Sequence, residues 1–439
     1  MPGSAVTKSK PASESGRLRR FLQNPELGEA VFAIANQVLV SGATFLIGIA
    51  AARWLGLEQF GRFNMVLIAA TLVQGLQNSF LLIPMMTLAG VKARRMRFYF
   101  IGLMASNVLL SVAAALAVGL AIGLGLGWRD GAIPWALALS GGAYAGAQNY
   151  LFMVRRMMFA RREAWQTLLL DLLRYVLLAA AILLLWRQLG AITVEVVLAA
   201  LAASALLVCL PFTLRVGFRG ADVRLLRTIW GRHWSFARWL LPMTLITFLQ
   251  EQAITLSLGF YLSDEAVGGL RAGQYLLGIT HFITMGMDNF LPGGAARAYD
   301  AGGTAALRRY LFSRYLLLGI PIGLLILGLA FNAEASLRLA FGESYQRFAP
   351  LLHIFAVSYV CLYTRDMASQ YFRAIERTDV IFRSFVIGAV IAAIFAVPAL
   401  RMLGATGAAL LILMTNVTSM LYVVWQAWRH GQPGPVRIA

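Results

Sequence analysis

Apolar runs long enough to cross a bilayer, about 20 residues each, recur along the whole chain. Twelve can be counted: 30–52, 63–89, 98–126, 132–153, 166–186, 192–214, 237–260, 267–291, 311–331, 348–371, 381–400 and 404–426. The connections are short and leave no room for a soluble domain. The first 27 residues are polar and rich in Ser, which predicts a disordered tail. The apolar run that follows is about 23 residues, too long for the core of a secretory signal. The pattern predicts an all-α integral membrane protein of about twelve transmembrane helices.

Composition sharpens this. Of 439 residues, 59% are hydrophobic and 13% charged, yet the net charge is +19, from 38 Lys+Arg against 19 Asp+Glu. A disordered basic protein would be poor in Leu, Ile and Phe. A soluble nucleic-acid binder would not be this apolar, so no nucleic-acid partner is expected. With the N-terminus inside, 28 basic residues fall on the cytoplasmic side and eight outside: Arg53, Arg62, Arg129, Arg187, Arg271, Arg338, Arg347 and Arg401. Arg174 and Arg365 lie within spans. The asymmetry predicts that both termini are cytoplasmic. The two cysteines, Cys209 and Cys361, sit in apolar stretches and read as small core residues.

Two segments about 207 residues apart resemble each other. WLGLEQFGRFN (54–64) and YLSDEAVGGLR (261–271) share Leu55/Leu262, Glu58/Glu265 and Gly61/Gly268. Each would join the first and second helix of a six-helix half, and each second helix ends in a similar phrase, NSFLLIP (78–84) and DNFLP (288–292). The expected organisation is a disordered cytoplasmic tail (1–27), an N-terminal six-helix half (28–214), a basic cytoplasmic linker (215–236), a C-terminal six-helix half (237–428) and a cytoplasmic tail (429–439). A parallel repeat of this kind is how some transporters place substrate between two rocking halves.

Polar side chains inside the membrane point to a bundle interior or a cavity, because contact with lipid is costly. In the eighth span Arg271, Gln274, Gly278, His281, Met285 and Asp288 share one helix face. In the second span Asn64, Leu67, Thr71, Gln74 and Asn78 do the same, in repeat register with the eighth. The seventh span adds Thr244, Thr247, Glu251 and Thr255. The first adds Gln37, Ser41, Thr44 and Gly48, with Asn36 alongside. These helices are expected to line a central water-filled cleft. Arg365, with Ser358 and Ser369, is a further candidate for the cleft. Asp171 and Arg174 are spaced i,i+3 and can neutralise each other. Glu251, Asp288 and His281 are the candidates for coupling to H+ or Na+. Catalytic patterns are missing: the four histidines, His233, His281, His353 and His430, show no metal-ligand spacing, and there is no GxxxxGK[ST] loop. No enzyme activity, metal or cofactor is expected.

The opening ANQVLVSGATFLIGIAAARWLGLEQFGRFNMVLIAATLVQGLQ (35–77) resembles that of polysaccharide-biosynthesis membrane proteins. Their first helix is followed by a phrase matched here by Ala52, Arg53, Leu55, Gly56, Glu58, Phe60, Gly61 and Phe63. With its twelve-helix, 6+6 layout the chain resembles the multidrug/oligosaccharidyl-lipid/polysaccharide (MOP) exporter superfamily, and within it the Wzx-type flippase branch. The resemblance implies a flippase of undecaprenyl-diphosphate-linked oligosaccharide in the bacterial inner membrane, serving surface polysaccharide or O-antigen synthesis. It also implies a central cavity whose cationic residues hold the diphosphate. Arg271 occupies a region where related lipid II flippases carry cavity arginines. The first helix differs: Asn36 and Gln37 stand where some relatives place charged side chains.

The expected substrate-binding set is Arg271, Gln274, His281, Glu251, Arg365, Arg174, Asn64, Gln74, Asn78 and Gln37. Besides the bilayer and the lipid-linked substrate, partners of the polymerase or glycosyltransferase type are possible. Two other readings stand beside the flippase: a drug/cation antiporter of the same superfamily, which needs an acidic cavity, and a non-transporting membrane subunit of a polysaccharide synthase complex.

Overall fold

The computed structural model describes residues 25–88, 96–280, 284 and 291–430. Among these the secondary structure is helical throughout. In chain order the elements are α1 (Pro25–Gln77), a π-helical turn (Asn78–Leu82), α2 (Ile83–Leu88), α3 (Met96–Asp130), α4 (Trp135–Ala160), α5 (Ala164–Leu189) and α6 (Val194–Val216). They continue with α7 (Val223–Glu251), α8 (Ala253–Tyr261), α9 (Asp264–Leu277), α10 (Leu291–Phe331), α11 (Ala333–Phe341), a 3-10 turn (Glu343–Phe348), α12 (Ala349–Ala374) and α13 (Thr378–His430).

Seven of these helices are long and apolar enough to cross a membrane. Three bend sharply at glycine: α1 at Gly56, α10 at Gly302 and Gly303, α13 at Gly404. Counting the arms on either side of these bends, a total of twelve passes fits. Gly56 adopts φ 74°, ψ 175°, a backbone state essentially reserved for glycine. Large apolar side chains such as Leu46, Leu116, Leu324 and Phe331 are exposed, as suits a surface solvated by lipid.

The turns around residues 53–62, 129–133, 259–265, 339–347 and 401–404 meet at one face of the bundle, here called the Gly56 face. The opposite face carries Arg162. At the Gly56 face the bend of α1 is pressed against the start of α9. A side chain on Gly61 would collide with the backbone carbonyl of Asp264, and one on Gly268 with that of Leu57. The two contacts are reciprocal, because Gly61/Gly268 and Leu57/Asp264 are separated by the same 207 positions.

Charge fastens this contact. The Asp264 side chain, 3% exposed, accepts from Arg62 Nε (2.8 Å) and from Arg129 Nη1 and Nη2 (2.8 Å each). Helix ends on the two sides also cap one another. Arg53 donates to the Leu339 and Ala340 carbonyls in the last turn of α11, and Tyr345 Oη donates to the Ala52 carbonyl at 2.9 Å. Arg129 Nη1 also donates to Gly259 O at 2.7 Å, near the end of α8. These carbonyls belong to helix ends, which lack intrahelical partners.

On the Arg162 side the join is made by the start of α7. Pro84 has no N–H to donate to the Phe80 carbonyl one turn back. The ring of His233, wholly buried, supplies the missing donor: Nδ1 lies 2.9 Å from Phe80 O, and Nε2 lies 2.9 Å from Tyr99 Oη. Because a carbonyl only accepts, Nδ1 carries the proton and Nε2 accepts from the tyrosine. His233→Ala leaves both partners unsatisfied and should cost about 1–3 kcal/mol. A drop in the thermal midpoint of the detergent-solubilised protein, reduced in His233→Asn, checks this.

Candidate functional site

Beneath the Gly56-face contact lies a cavity of about 600 Å³. Its walls come from the first arm of α1 (Ser41, Thr44), the junction of α7 and α8 (Glu251, Gln252), α9 (Arg271, Gln274, Tyr275), α12 (Ser358, Tyr359, Arg365, Asp366) and the second arm of α13 (Thr415, Asn416). The helix rise puts Arg271, seven residues into α9, about 10 Å below that face.

The break between α7 and α8 is what opens the wall. Gln252 leaves helical geometry (φ −120°, ψ −26°), so α7 ends at Glu251 and α8 starts afresh at Ala253. Glu251 and Gln252, which an unbroken helix would turn about 100° apart, both reach the cavity. The Glu251 side chain is exposed to that space, within electrostatic reach of Arg365 and Asp366.

The two cavity arginines differ in their surroundings. Arg365 Nε and Nη2 both donate to Asp366 Oδ1, at 3.0 and 2.9 Å, and its guanidinium sits over the Phe385 ring. Although adjacent residues on a helix point apart, the long arginine side chain curls back to its neighbour. Arg271 Nη1 donates to Gln274 Oε1 at 3.0 Å and Nη2 to Gln252 Oε1 at 2.6 Å. Its Nε is buried without a hydrogen-bond partner, and it makes no ion pair among the described residues. Arg271 therefore presents an unneutralised positive charge, with spare N–H donors, to the cavity.

The expected site residues fall into three groups. Arg271, Gln274, Glu251 and Arg365 line the cavity together, and Gln37 touches it indirectly by donating to Ser41 Oγ at 3.0 Å. Asn64, Gln74 and Asn78 are absent from its lining. Asn64 is buried and donates back to Phe60 O at 2.7 Å; Asn78 begins the π-helical turn. The reason is geometric: the end of the second pass lies against the later part of α7, where Ser79 meets Thr244 at 2.6 Å. The cavity therefore does not draw equally on the second and eighth passes. His281 and Asp288 lie outside the described residues.

Arg174 belongs to a separate buried cluster. It donates to Gln148 Oε1 at 2.8 Å and lies over the Tyr175 ring. The i,i+3 pairing of Asp171 with Arg174 is corrected by the structure: Asp171, fully buried, pairs with Arg155 Nε at 2.8 Å. Arg155 comes from α4, and a bond between neighbouring helices wins over one along the same helix.

Sequence reading did not identify Gln252, Tyr275, Tyr359 or Asn416. Gln252 is off the seventh-span polar stripe and joins the wall only because the helix breaks there. Tyr359, which donates from Oη to Gln274 O at 3.0 Å, reads in sequence as a core aromatic. Among the described residues no cluster of His, Cys, Asp or Glu could hold a metal ion.

No family model matches the chain, and no curated protein matches it. Solved structures do. A lipid II flippase, MurJ, in an inward closed conformation matches with a TM-score of 0.66 at 11% identity, over 91% of this chain and 87% of that one. A MATE-family multidrug resistance transporter of the MOP superfamily, inward-facing, matches with a TM-score of 0.64 at 14% identity, over 91% and 98%. An outward-facing one matches at 0.60 and 16% identity, over 92% and 96%. The chain shares its fold with these solved transporters over nearly all its length, and its seven long apolar helices suit a multi-pass membrane protein.

The Arg155–Asp171 pair and Arg271 give opposite expectations for stability. Asp171→Ala strands a buried guanidinium, which typically costs about 3–5 kcal/mol. Arg271→Ala removes a charge that no carboxylate answers and should cost far less. Thermal unfolding of the two purified variants side by side checks the order.

Proposed function

We propose that this chain is a flippase that carries an undecaprenyl-diphosphate-linked oligosaccharide across the bacterial inner membrane for surface polysaccharide synthesis. The observation that carries the reading is Arg271: an arginine inside a membrane cavity, held only by amide oxygens. A diphosphate is the natural complement of such a charge in a partly dehydrated space. The polar walls suit sugar hydroxyls, while the lipid tail stays in the bilayer. The likeness in fold to a lipid II flippase supports the same reading.

Both termini are cytoplasmic in this reading, following the basic-residue asymmetry, and the Gly56 face is periplasmic. The reciprocal Gly61 and Gly268 contacts support two six-helix halves, 28–214 and 237–428, joined by the 215–236 linker. With the halves closed at the periplasmic face, substrate enters from the inside. The cycle requires Asp264 to part from Arg62 and Arg129. In this reading the chain is a transporter and not an enzyme, which the likeness in fold to solved transporters supports. Glu251 supports coupling to H+ or Na+, with His281 and Asp288 as further candidates. A drug/cation antiporter is disfavoured because Arg271, which no carboxylate pairs, opposes a cationic ligand. A non-transporting subunit would have no use for a cavity charge left unneutralised. Polymerases or glycosyltransferases of the same polysaccharide are the expected partners.

Arg271→Ala should abolish complementation of a strain lacking the gene without lowering protein level, and Arg271→Lys should retain part of it. Surface glycan and lipid-linked intermediates are the readouts; full activity of the Ala variant contradicts the reading. Asp264→Asn should loosen the periplasmic closure. A Thr44→Cys reporter, in a chain lacking Cys209 and Cys361, should then react faster with an impermeant maleimide added from outside.

A further inference from the structure

The two glutamines that hold Arg271 make a choice that is not forced by packing. A guanidinium has five N–H donors, and a carboxylate is its strongest acceptor. At Arg365 a carboxylate, Asp366, takes that part, and the pair is close to neutral. At Arg271 both acceptors are amide oxygens, from Gln274 at 3.0 Å and Gln252 at 2.6 Å. The amides come from different elements. Gln274 lies one turn further along α9, where Tyr359 Oη donates to its backbone carbonyl. Gln252 sits at the break after α7, with its N–H donating to Phe248 O at 2.8 Å. The guanidinium is thus gripped at both Nη atoms from two independent backbones. Either glutamate in place of these glutamines would have the same shape and would cancel the charge.

We propose that Gln252 and Gln274 are specificity-determining residues, a neutral clamp that orients Arg271 while keeping its full charge for an anionic group of the substrate. This rests on the anion-binding reading of the cavity and adds to it what selects anionic over neutral lipids. The clamp supplies orientation, the entropic part of recognition, without consuming the electrostatic part. Its cost is a buried cation without a counter-ion, which a bound diphosphate relieves.

The test is binding of labelled farnesyl diphosphate, and of farnesol as its uncharged counterpart, to the purified full chain in detergent, read by scintillation proximity. Gln252→Glu and Gln274→Glu should each weaken farnesyl diphosphate binding by about tenfold or more and leave farnesol binding within about twofold, the scale of a surface-type change. A purely structural role would weaken both ligands alike, and that result overturns the proposal. So does an unchanged preference for the diphosphate in both variants while Arg271→Ala loses it, which removes the clamp but leaves the cavity reading standing. If Arg271→Ala keeps the wild-type preference, the cavity reading falls and the clamp with it. The two substitutions pose the same question at two positions, so if one fails to fold the other decides.

Discussion

A charge inside an apolar bundle is costly unless water or an opposite charge answers it. That single constraint organises this molecule. Asp171 is answered by Arg155, Asp264 by Arg62 and Arg129, and Arg365 by Asp366. The first two tie helices together or close a face; the third joins neighbours on α12. Arg271, like Arg174, is held by amide oxygens and not by a carboxylate, and of the two it is Arg271 that lines the cavity. Among the arginines that line the cavity, Arg365 is paired with a carboxylate and Arg271 is not.

The second organising feature is the closure at the Gly56 face. It combines contacts only glycine permits, at Gly61 and Gly268, with ion pairs whose groups water could solvate if the contact opened. Apolar interdigitation would give a permanent join. A join of glycine contacts, capped carbonyls and one shared carboxylate can come apart at modest cost, because each group set free can be hydrated at the membrane surface. The same logic explains the asymmetry of the repeat. Leu57 is the counterpart of Asp264, so one side supplies the carboxylate and the other the arginines.

Much of the fold was legible in the sequence because lipid imposes long apolar runs. Twelve runs were counted, and the helical arms fit that number. Gly61 and Gly268 stood out as a weak repeat, and the structure gives them a shared physical reason. Arg53, Arg62 and Arg129 could be read only as outside exceptions to the charge asymmetry; folding turns them into the clasp of the Gly56 face. The cavity was partly legible. Arg271, Gln274 and Glu251 followed from helical spacing, because α7 and α9 keep their periodicity up to those residues. Asn64, Gln74 and Asn78 share that spacing but lie in a pass packed against α7, and no pattern along one helix records what its neighbour will be. Gln252 was hidden for the opposite reason. It depends on a helix break that has no glycine or proline at the break itself to announce it.

The central claim is that this chain moves a diphosphate-linked saccharide through the Arg271 cavity. The most direct measurement is translocation in proteoliposomes of a labelled polyprenyl-diphosphate saccharide, followed by the fraction open to an enzyme added outside. Translocation well above protein-free vesicles, lost in Arg271→Ala vesicles of equal protein content, is the result expected. Equal translocation with and without protein, or undiminished translocation by the Ala variant, would contradict it.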